Sequence, residues 1–219
     1  MTGIASSVKG VASSAAYHAV RFYESDNSLA RIVADFLHEG LDVGNPAIVV
    51  ATADIRAAIV QELTDRSLDV PKLQRAGDLL VLDAEEILSA FMTDGRPDAG
   101  RFKDQMCHVI QRVCGDRADC RVRIFGQMVD VLWKDGQRDA AIRLEVLWNQ
   151  LAHTEAFSLL CGYAIGNFYK DAGFDDICGQ HSHVVSADGR ATWISADGQA
   201  NRLASAAHDR STPQKKRQK

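Results

Sequence analysis

The stretch HAVRFYESDNSLARIVADFLHEGLDVGNPAIVVAT, residues 18–52, decides the fold of this chain of 219 residues. It begins with an apolar and aromatic run at 18–23, which predicts a β-strand. Apolar residues then recur at helical spacing behind polar capping candidates, and Gly40 supplies a stop, so an amphipathic helix should follow. The β-branched run at 46–52 is typical of a strand buried on both faces. Together these segments predict a parallel βαβ unit.

The same alternation continues through most of the chain. Further strands are predicted at 78–84, 120–126 and 157–163, with helical patterns between them, and Pro97 is placed at the start of one of these helices. The Asp-Gly pair in SADGR predicts a final hairpin between HSHVV and ATWIS. We therefore expect an α/β fold with a mostly parallel central sheet flanked by helices on both faces. In such sheets ligands bind outside the carboxyl ends of the strands.

Composition excludes several function classes. The chain is 46% hydrophobic and 25% charged, with a net charge of -4, which gives no general attraction to nucleic acid. The basic run QKKRQK at the end of the sequence is more typical of a solvated tail than of a binding patch. No secretory apolar region and no stretch of roughly 18 to 20 apolar residues is present. We expect a cytoplasmic protein that contacts neither nucleic acid nor a membrane directly.

Domain organisation follows from where apolar content rises and falls. We expect a flexible N-terminal segment at 1–16, one domain at 17–195 and a disordered tail at 196–219. Five cysteines without a CxxC pair fit reduced thiols. Cys107 and Cys114 are seven residues apart on one helical pattern, which favours a packing role.

Missing motifs argue against catalysis. The sequence contains no Gly-Lys dipeptide, so it has no phosphate-binding P-loop, and neither GxGxxG nor GxSxG is present. The nearest candidate for a nucleophile is Cys161, which would need His18 or His181 to lower the pKa of its thiol. A buried, unreactive cysteine is the more common outcome. We do not expect an enzyme.

The segment DDICGQHSHVV, residues 175–185, suggests a metal. Cys178, His181 and His183 combine CxxH and HxH spacings, a ligand set suited to zinc or another transition metal. Two histidines at i and i+2 of a strand would point to the same face, and His18 is the best candidate for a fourth ligand. The alternative is that these side chains line a sheet edge or a pocket.

Aromatic and acidic residues cluster on two helical segments. Trp133 and Trp148 lie beside leucines at helical spacing, which is more typical of a core than of a ligand site. Glu145 precedes Trp148 by three residues and could be a buried acid facing the sheet, with Arg123 or Arg143 as its partner. A surface ion pair is the competing interpretation.

Taken together, HAVRFYESDNSLARIVADFLHEGLDVGNPAIVVAT, VRIFGQMVDVLWKDGQRDAAIRLEVLWNQLAHTEAFSLLCGY and ICGQHSHVV resemble the MEDS family, the methanogen/methylotroph DcmR-type sensory domain. The resemblance runs from about residue 17 to 185. The positions that match the family pattern are His18, Phe22, Tyr23, Gly126, Leu132, Trp133, Gly136, Leu144, Glu145, Trp148, Cys161, Tyr163, Cys178, His181 and Ser182. One position departs from it, because Gln127 stands where the family usually has glutamate after the fourth strand.

The resemblance implies a RecA/KaiC-like three-layer sandwich without a Walker A loop. It also implies a non-catalytic sensory module that binds a small molecule and acts through a histidine kinase, response regulator or transcription factor, and we expect a homodimer. The ligand site is expected at the carboxyl ends of the strands, lined by His18, Tyr23, Gln127, Glu145, Trp148, Cys161 and Tyr163. Two alternatives remain: a metal or redox sensor using Cys178, His181 and His183 with zinc as the candidate cofactor, and a residual nucleotide binder.

Overall fold

The computed structural model describes residues 17–168 and 173–193. The strands in chain order are β1 (His18–Tyr23), β2 (Ala47–Ala51), β3 (Leu79–Asp83), β4 (Met92–Thr93), β5 (Arg96–Pro97), β6 (Val122–Gly126), β7 (Phe157–Ala164), β8 (His183–Val185) and β9 (Ala191–Trp193). The helices are α1 (Asp26–Leu41), α2 (Ala53–Asp65), α3 (Val70–Ala76), α4 (Ala84–Phe91), α5 (Ala99–Cys114), α6 (Met128–Lys134), α7 (Arg138–Leu151) and α8 (Gly173–Cys178). A short 3₁₀ helix covers Ile165–Phe168.

One sheet organises the molecule. Its strand order is β3-β2-β6-β7-β1-β8-β9, and β4 and β5 form a separate small hairpin. Neighbouring strands of the large sheet are parallel except β9, which runs antiparallel to β8. The expected α/β fold is confirmed, as is the final hairpin. The expected segments at 1–16 and 196–219 lie outside the described residues.

Two apolar cores lie on opposite faces of the sheet. Alternation along β1 sends Ala19 and Tyr23 into one core and Val20 and Phe22 into the other. Helices α1, α2 and α3 cover the first face, whereas α4, α5, α6, α7 and α8 cover the second. The result is a three-layer sandwich, and side chains one residue apart on a strand belong to different layers.

Acidic caps set where two of the helices begin. The Asp83 carboxylate accepts hydrogen bonds from the Glu85 and Glu86 amides at the start of α4. Asp98 accepts from the Arg101 amide in the same way and starts α5 at Ala99. The expectation that Pro97 begins this helix is therefore wrong, because Pro97 ends the small hairpin instead.

The cysteines differ from expectation at one pair. Cys114 at the end of α5 and Cys120 before β6 form a disulfide, with their Cα atoms 5.7 Å apart. The tight return from α5 to β6 brings the two residues within disulfide reach. The expectation of reduced thiols, and of a packing role for Cys114, is therefore wrong for these two. Cys107, Cys161 and Cys178 are free thiols.

None of the helices in 17–168 or 173–193 has both the length and the apolar character needed to cross a bilayer.

Replacing Ile48 by alanine should destabilise the fold by about 2–5 kcal/mol, because it leaves a cavity at the centre of the sheet. Ile48 is 0% exposed on β2, whereas Val43 before the same strand is 71% exposed. Val43→Ala is the matched control and should change the free energy of unfolding by less than about 0.5 kcal/mol. Urea denaturation of both variants measures the difference. Equal losses would contradict the placement of β2 in the core.

Candidate functional site

A buried carboxylate on α7 gathers four polar side chains. Glu145 is 0% exposed. Its Oε2 lies 3.1 Å from His18 Nε2 and accepts from the Cys161 thiol at 3.4 Å. Its Oε1 accepts from the Tyr163 hydroxyl at 2.8 Å and lies 3.4 Å from His181 Nε2. We call His18, Glu145, Cys161 and His181 the Glu145 centre. Each offers one atom that could bind a metal ion, and these four atoms lie within 4.8 Å of one another.

Strand register explains why these residues meet. His18 opposes Leu159 across β1 and β7, so His18 and Cys161 occupy the same face two residues apart in register. Glu145 comes down from α7 on that face. His181 arrives from the connection between α8 and β8, which is fastened by the Ser182 amide donating to the His18 carbonyl at 2.8 Å.

Hydrogen bonds outside the centre fix both imidazole tautomers. The Asn149 amide group donates to the Gln180 carbonyl at 2.9 Å, so Asn149 Oδ1 is left to accept from His18 Nδ1, also at 2.9 Å. His181 Nδ1 lies 2.7 Å from the Ile177 carbonyl, which can only accept. Nδ1 of each ring therefore carries a proton, and each Nε2 faces Glu145.

Burial and charge set the ionisation of the centre. Burial and the neighbouring His181 lower the pKa of His18. Burial alone would raise the pKa of Glu145, but the two imidazoles outweigh it and hold that pKa well below its usual range. Burial and the Glu145 charge raise the pKa of the Cys161 thiol. At neutral pH the centre holds a carboxylate and an un-ionised thiol.

A second buried carboxylate, Asp130, lies where the strands end. It is 0% exposed, and its Oδ2 accepts from the Tyr23 hydroxyl and the Lys134 ammonium, both at 2.8 Å. Its Oδ1 accepts from the Ala164 amide and from the Asn167 side chain, both at 2.9 Å. All four donors stand at or beyond the carboxyl ends of β1 and β7 or on the same helix. We call this the Asp130 network.

Gln127 joins the Asp130 network from the end of β6. Its amide group donates to the Tyr23 hydroxyl at 3.1 Å, and its Oε1 accepts from the amide and the hydroxyl of Thr52. Burial and the Asp130 charge raise the pKa of Tyr23 well above its usual range. The side chain of Gln127 thus links the ends of β1, β2 and β6.

Five rings form an aromatic cluster on the other side of the same strand ends. Its members are Phe22, Trp133, Tyr163, Phe168 and Phe174. Trp133 is 4% exposed, and its Nε1 finds no hydrogen-bond partner among the described residues. Tyr163 belongs to both this cluster and the surroundings of Glu145, because its hydroxyl donates to Glu145.

The ligand residues expected from sequence fall into separate places. His18, Glu145, Cys161 and Tyr163 come together, but His18 lies at the start of β1 rather than at its carboxyl end. Tyr23 and Gln127 belong to the Asp130 network, because Tyr23 is an odd number of residues from His18 and faces the opposite layer. Trp148 packs in the core against Phe102 and Phe157. The seven residues do not form one site in this structure.

The expected metal ligands also separate. His181 lies with His18 in the Glu145 centre, whereas Cys178 and His183 lie outside it. The expectation that His181 and His183 share one strand face is wrong, because β8 begins only at His183. His183 instead lies 5.4 Å from the Tyr17 ring, centroid to centroid. His18, the expected fourth ligand, lies in the same group of side chains as His181.

The expected arginine partners of Glu145 are not its neighbours. Arg123 lies on the opposite face of the sheet, with its Cζ 4.9 Å from the centre of the Phe36 ring, and Arg143 is exposed on α7. Sequence reasoning also missed Asp130 and Asn149. Asn149 could have been found, because it is four residues after Glu145 and shares its helix face. Nothing in the local sequence distinguishes Asp130 from an exposed helix-start acid.

Comparison with known proteins identifies the family. The model of the MEDS family, the methanogen/methylotroph DcmR sensory domain, matches residues 17–182. This chain therefore belongs to the MEDS family. A search of curated protein sequences found no match.

Among solved structures, the chain is similar to a KaiC-like protein from the hyperthermophilic archaeon Pyrococcus horikoshii. The TM-score is 0.50 at 15% identity, over 77% of this chain and 70% of that one. The likeness confirms the expected RecA/KaiC-like fold.

The Asp130→Asn variant should lose about 1–3 kcal/mol of folding free energy, because an amide cannot replace the charge-assisted bonds from Tyr23 and Lys134. Asp135→Asn removes the same charge from an exposed position at the end of the same helix and should change stability by less than about 0.5 kcal/mol. Thermal and urea unfolding report both values. If the two variants were equally stable, the Asp130 network would not hold the strand ends together.

Proposed function

We propose that this MEDS-family chain is a non-catalytic sensory module that binds a small molecule at the carboxyl ends of its strands and acts on a signalling partner. The ligand has an apolar body and one hydrogen-bond acceptor. It binds within the aromatic cluster, where β1 and β7 end.

The observation that carries this proposal is the unpartnered indole N–H of Trp133. A buried donor without an acceptor costs about 1–3 kcal/mol, so native structures rarely keep one without a function. The Phe22, Phe168 and Phe174 rings of the cluster offer apolar surfaces, which suits a small apolar molecule, and the Arg138 guanidinium lies 5.5 Å from the centre of the Trp133 ring. An acceptor oxygen on that molecule would satisfy the indole.

The neighbourhood of Trp133 is tightly specified. A Cβ on Gly173 would lie 2.6 Å from Trp133 Cη2, so α8 can approach the indole only with glycine at this position. The Phe174 ring of α8 lies 4.4 Å from the Phe22 ring, centroid to centroid, at a tilt of 31°, and Phe174 is only half-buried. A ligand can therefore enter the cluster by displacing Phe174 without opening the central sheet.

Tyr163 offers a route from the ligand to the rest of the domain. Its ring lies 6.0 Å from the Trp133 ring, while its hydroxyl donates to Glu145. Glu145 in turn faces His181, which precedes β8. A ligand that moves α8 or Tyr163 would thus change how the β8–β9 hairpin is attached to the rest of the domain. We assign this hairpin as the surface that contacts a partner such as a histidine kinase, response regulator or transcription factor.

A phosphate ligand is disfavoured at the first helix. The segment after β1 carries Glu24 and Asp26, and the α1 start is capped by Ser25, whose hydroxyl accepts from the Ser28 amide. Negative side chains beside the helix N-terminus would repel a nucleotide triphosphate. The proposal therefore concerns a neutral molecule.

The full chain is labelled with ¹⁵N-tryptophan and titrated with 2-pentanone. The indole resonance of Trp133, which is assigned by its absence from the spectrum of Trp133→Phe, should shift. The ketone oxygen accepts the indole hydrogen bond, so Trp133→Phe should weaken binding by about three- to tenfold while keeping an aromatic ring. The Trp148 indole is the internal control, since it lies in the core.

Pentane, which has no hydrogen-bond acceptor, is the matched probe. It should bind to the wild type more weakly than 2-pentanone does, and the two molecules should bind to Trp133→Phe equally. A ketone that shifts no indole, or that shifts only Trp148, would contradict the proposal.

A further inference from the structure

The Glu145 centre contains more acceptors than donors. When both imidazoles are neutral, with their proton on Nδ1, four acceptor atoms converge: His18 Nε2, His181 Nε2 and the two Glu145 oxygens. Among residues 17–168 and 173–193, only the thiol of Cys161 and the hydroxyl of Tyr163 supply protons to them. His181 Nε2 has no hydrogen-bond partner among the described residues although it is fully buried. In that state no positive charge within the group balances the negative charge of Glu145.

We propose that the Glu145 centre is a zinc site in which His18 Nε2, His181 Nε2, Cys161 Sγ and a Glu145 oxygen bind one Zn²⁺ ion. This assignment does not depend on the small-molecule site proposed above, and its ligand set differs from the Cys178, His181 and His183 set expected from sequence.

Only modest shifts of the four ligand atoms would bring them to the spacing of a zinc site. Zinc bonds of about 2.0–2.3 Å place tetrahedral ligand atoms roughly 3.4–3.8 Å apart. The four atoms that would bind zinc already lie within 4.8 Å of one another. His18 Nε2 is 3.3 Å from Cys161 Sγ and 3.1 Å from Glu145 Oε2, so these two pairs would move apart by only a few tenths of an ångström.

The charges balance when the ion binds. The thiol proton leaves to solvent as the bond between Cys161 and zinc forms. The thiolate and the carboxylate then carry two negative charges against the two positive charges of Zn²⁺. A neutral group is the form that a fully buried site tolerates best.

Partners outside the four ligands have the arrangement that metal sites require. Asn149 and the Ile177 carbonyl hold the Nδ1 protons of the two imidazoles, which orients each Nε2 lone pair inwards. Tyr163 donates to the Glu145 oxygen that faces His181. The competing account is a proton in place of the metal, held between an imidazole and Glu145.

Titrating the metal-free full chain with Co²⁺ should separate the two accounts. The experiment is done without reductant, so that the Cys114–Cys120 disulfide is kept. We expect one Co²⁺ per chain, visible bands of a tetrahedral ion and a thiolate-to-cobalt band in the near ultraviolet, all removed by Zn²⁺. A spectrum without these features would overturn the proposal in favour of the proton.

Two cysteine variants identify the sulfur ligand. Cys161→Ser should abolish the thiolate band and weaken Co²⁺ binding by more than the roughly 10- to 100-fold loss typical of an outer partner. Cys178→Ser is the matched control, since Cys178 is a buried free thiol outside the group, and it should leave band and affinity unchanged. The reverse pattern would overturn the assignment.

Asn149→Ala tests the outer partner. It should weaken Co²⁺ binding by about 10- to 100-fold while the thiolate band keeps its position, because all four ligands remain. Loss of the thiolate band would overturn the role of Asn149 as an outer partner.

X-ray absorption at the zinc edge of the wild-type chain needs no variant to fold. It should show one sulfur at about 2.3 Å and nitrogen or oxygen ligands at about 2.0–2.2 Å. Absence of sulfur from the first shell would overturn the proposal.

Discussion

The burial of one carboxylate constrains much of this structure. An ionised carboxylate cannot stay in an apolar interior unless it is paired and hydrogen-bonded. Glu145 is 0% exposed on α7, and His18, Cys161, Tyr163 and His181 all turn towards it. These residues come from β1, β7 and the connection before β8. The one charge thus ties three parts of the chain to the same point.

The two buried carboxylates hold different parts of the sheet. Asp130 holds the carboxyl ends of β1, β6 and β7 through Tyr23, Gln127 and the Ala164 amide, while Glu145 lies deeper under α7. Tyr163 is a member of the aromatic cluster, and its hydroxyl donates to Glu145. A change in the cluster can therefore reach the β8 segment through a short chain of direct contacts.

The fold could be predicted from the sequence because strand runs and helical periods alternate clearly along the chain. The strand at 18–23 was placed without error, and the others shifted by only a few residues. Details decided by single hydrogen bonds were harder. Asp98 rather than Pro97 starts α5, and the return from α5 to β6 forms a disulfide that spacing alone did not reveal.

The candidate site was predictable only in part. Sequence spacing grouped His181 with Cys178 and His183, since they are close along the chain. Three-dimensional register instead groups it with His18, more than 160 residues away, because β1 pairs with both β7 and β8. The expected ligand site likewise mixed residues from both faces, since the parity of positions along β1 separates His18 from Tyr23. Such groupings depend on strand order, which local patterns do not contain.

The most direct test of this account is hydrogen exchange of the full chain and of Glu145→Gln, followed at the amides of 182–185. If Glu145 fastens this segment through His181 and His18, the isosteric variant should exchange there at least about tenfold faster, while the amides of β2 and β6 stay protected. Glu39→Gln, at a carboxylate 63% exposed, should leave all of these rates unchanged. Unchanged protection of 182–185 in Glu145→Gln would contradict the account.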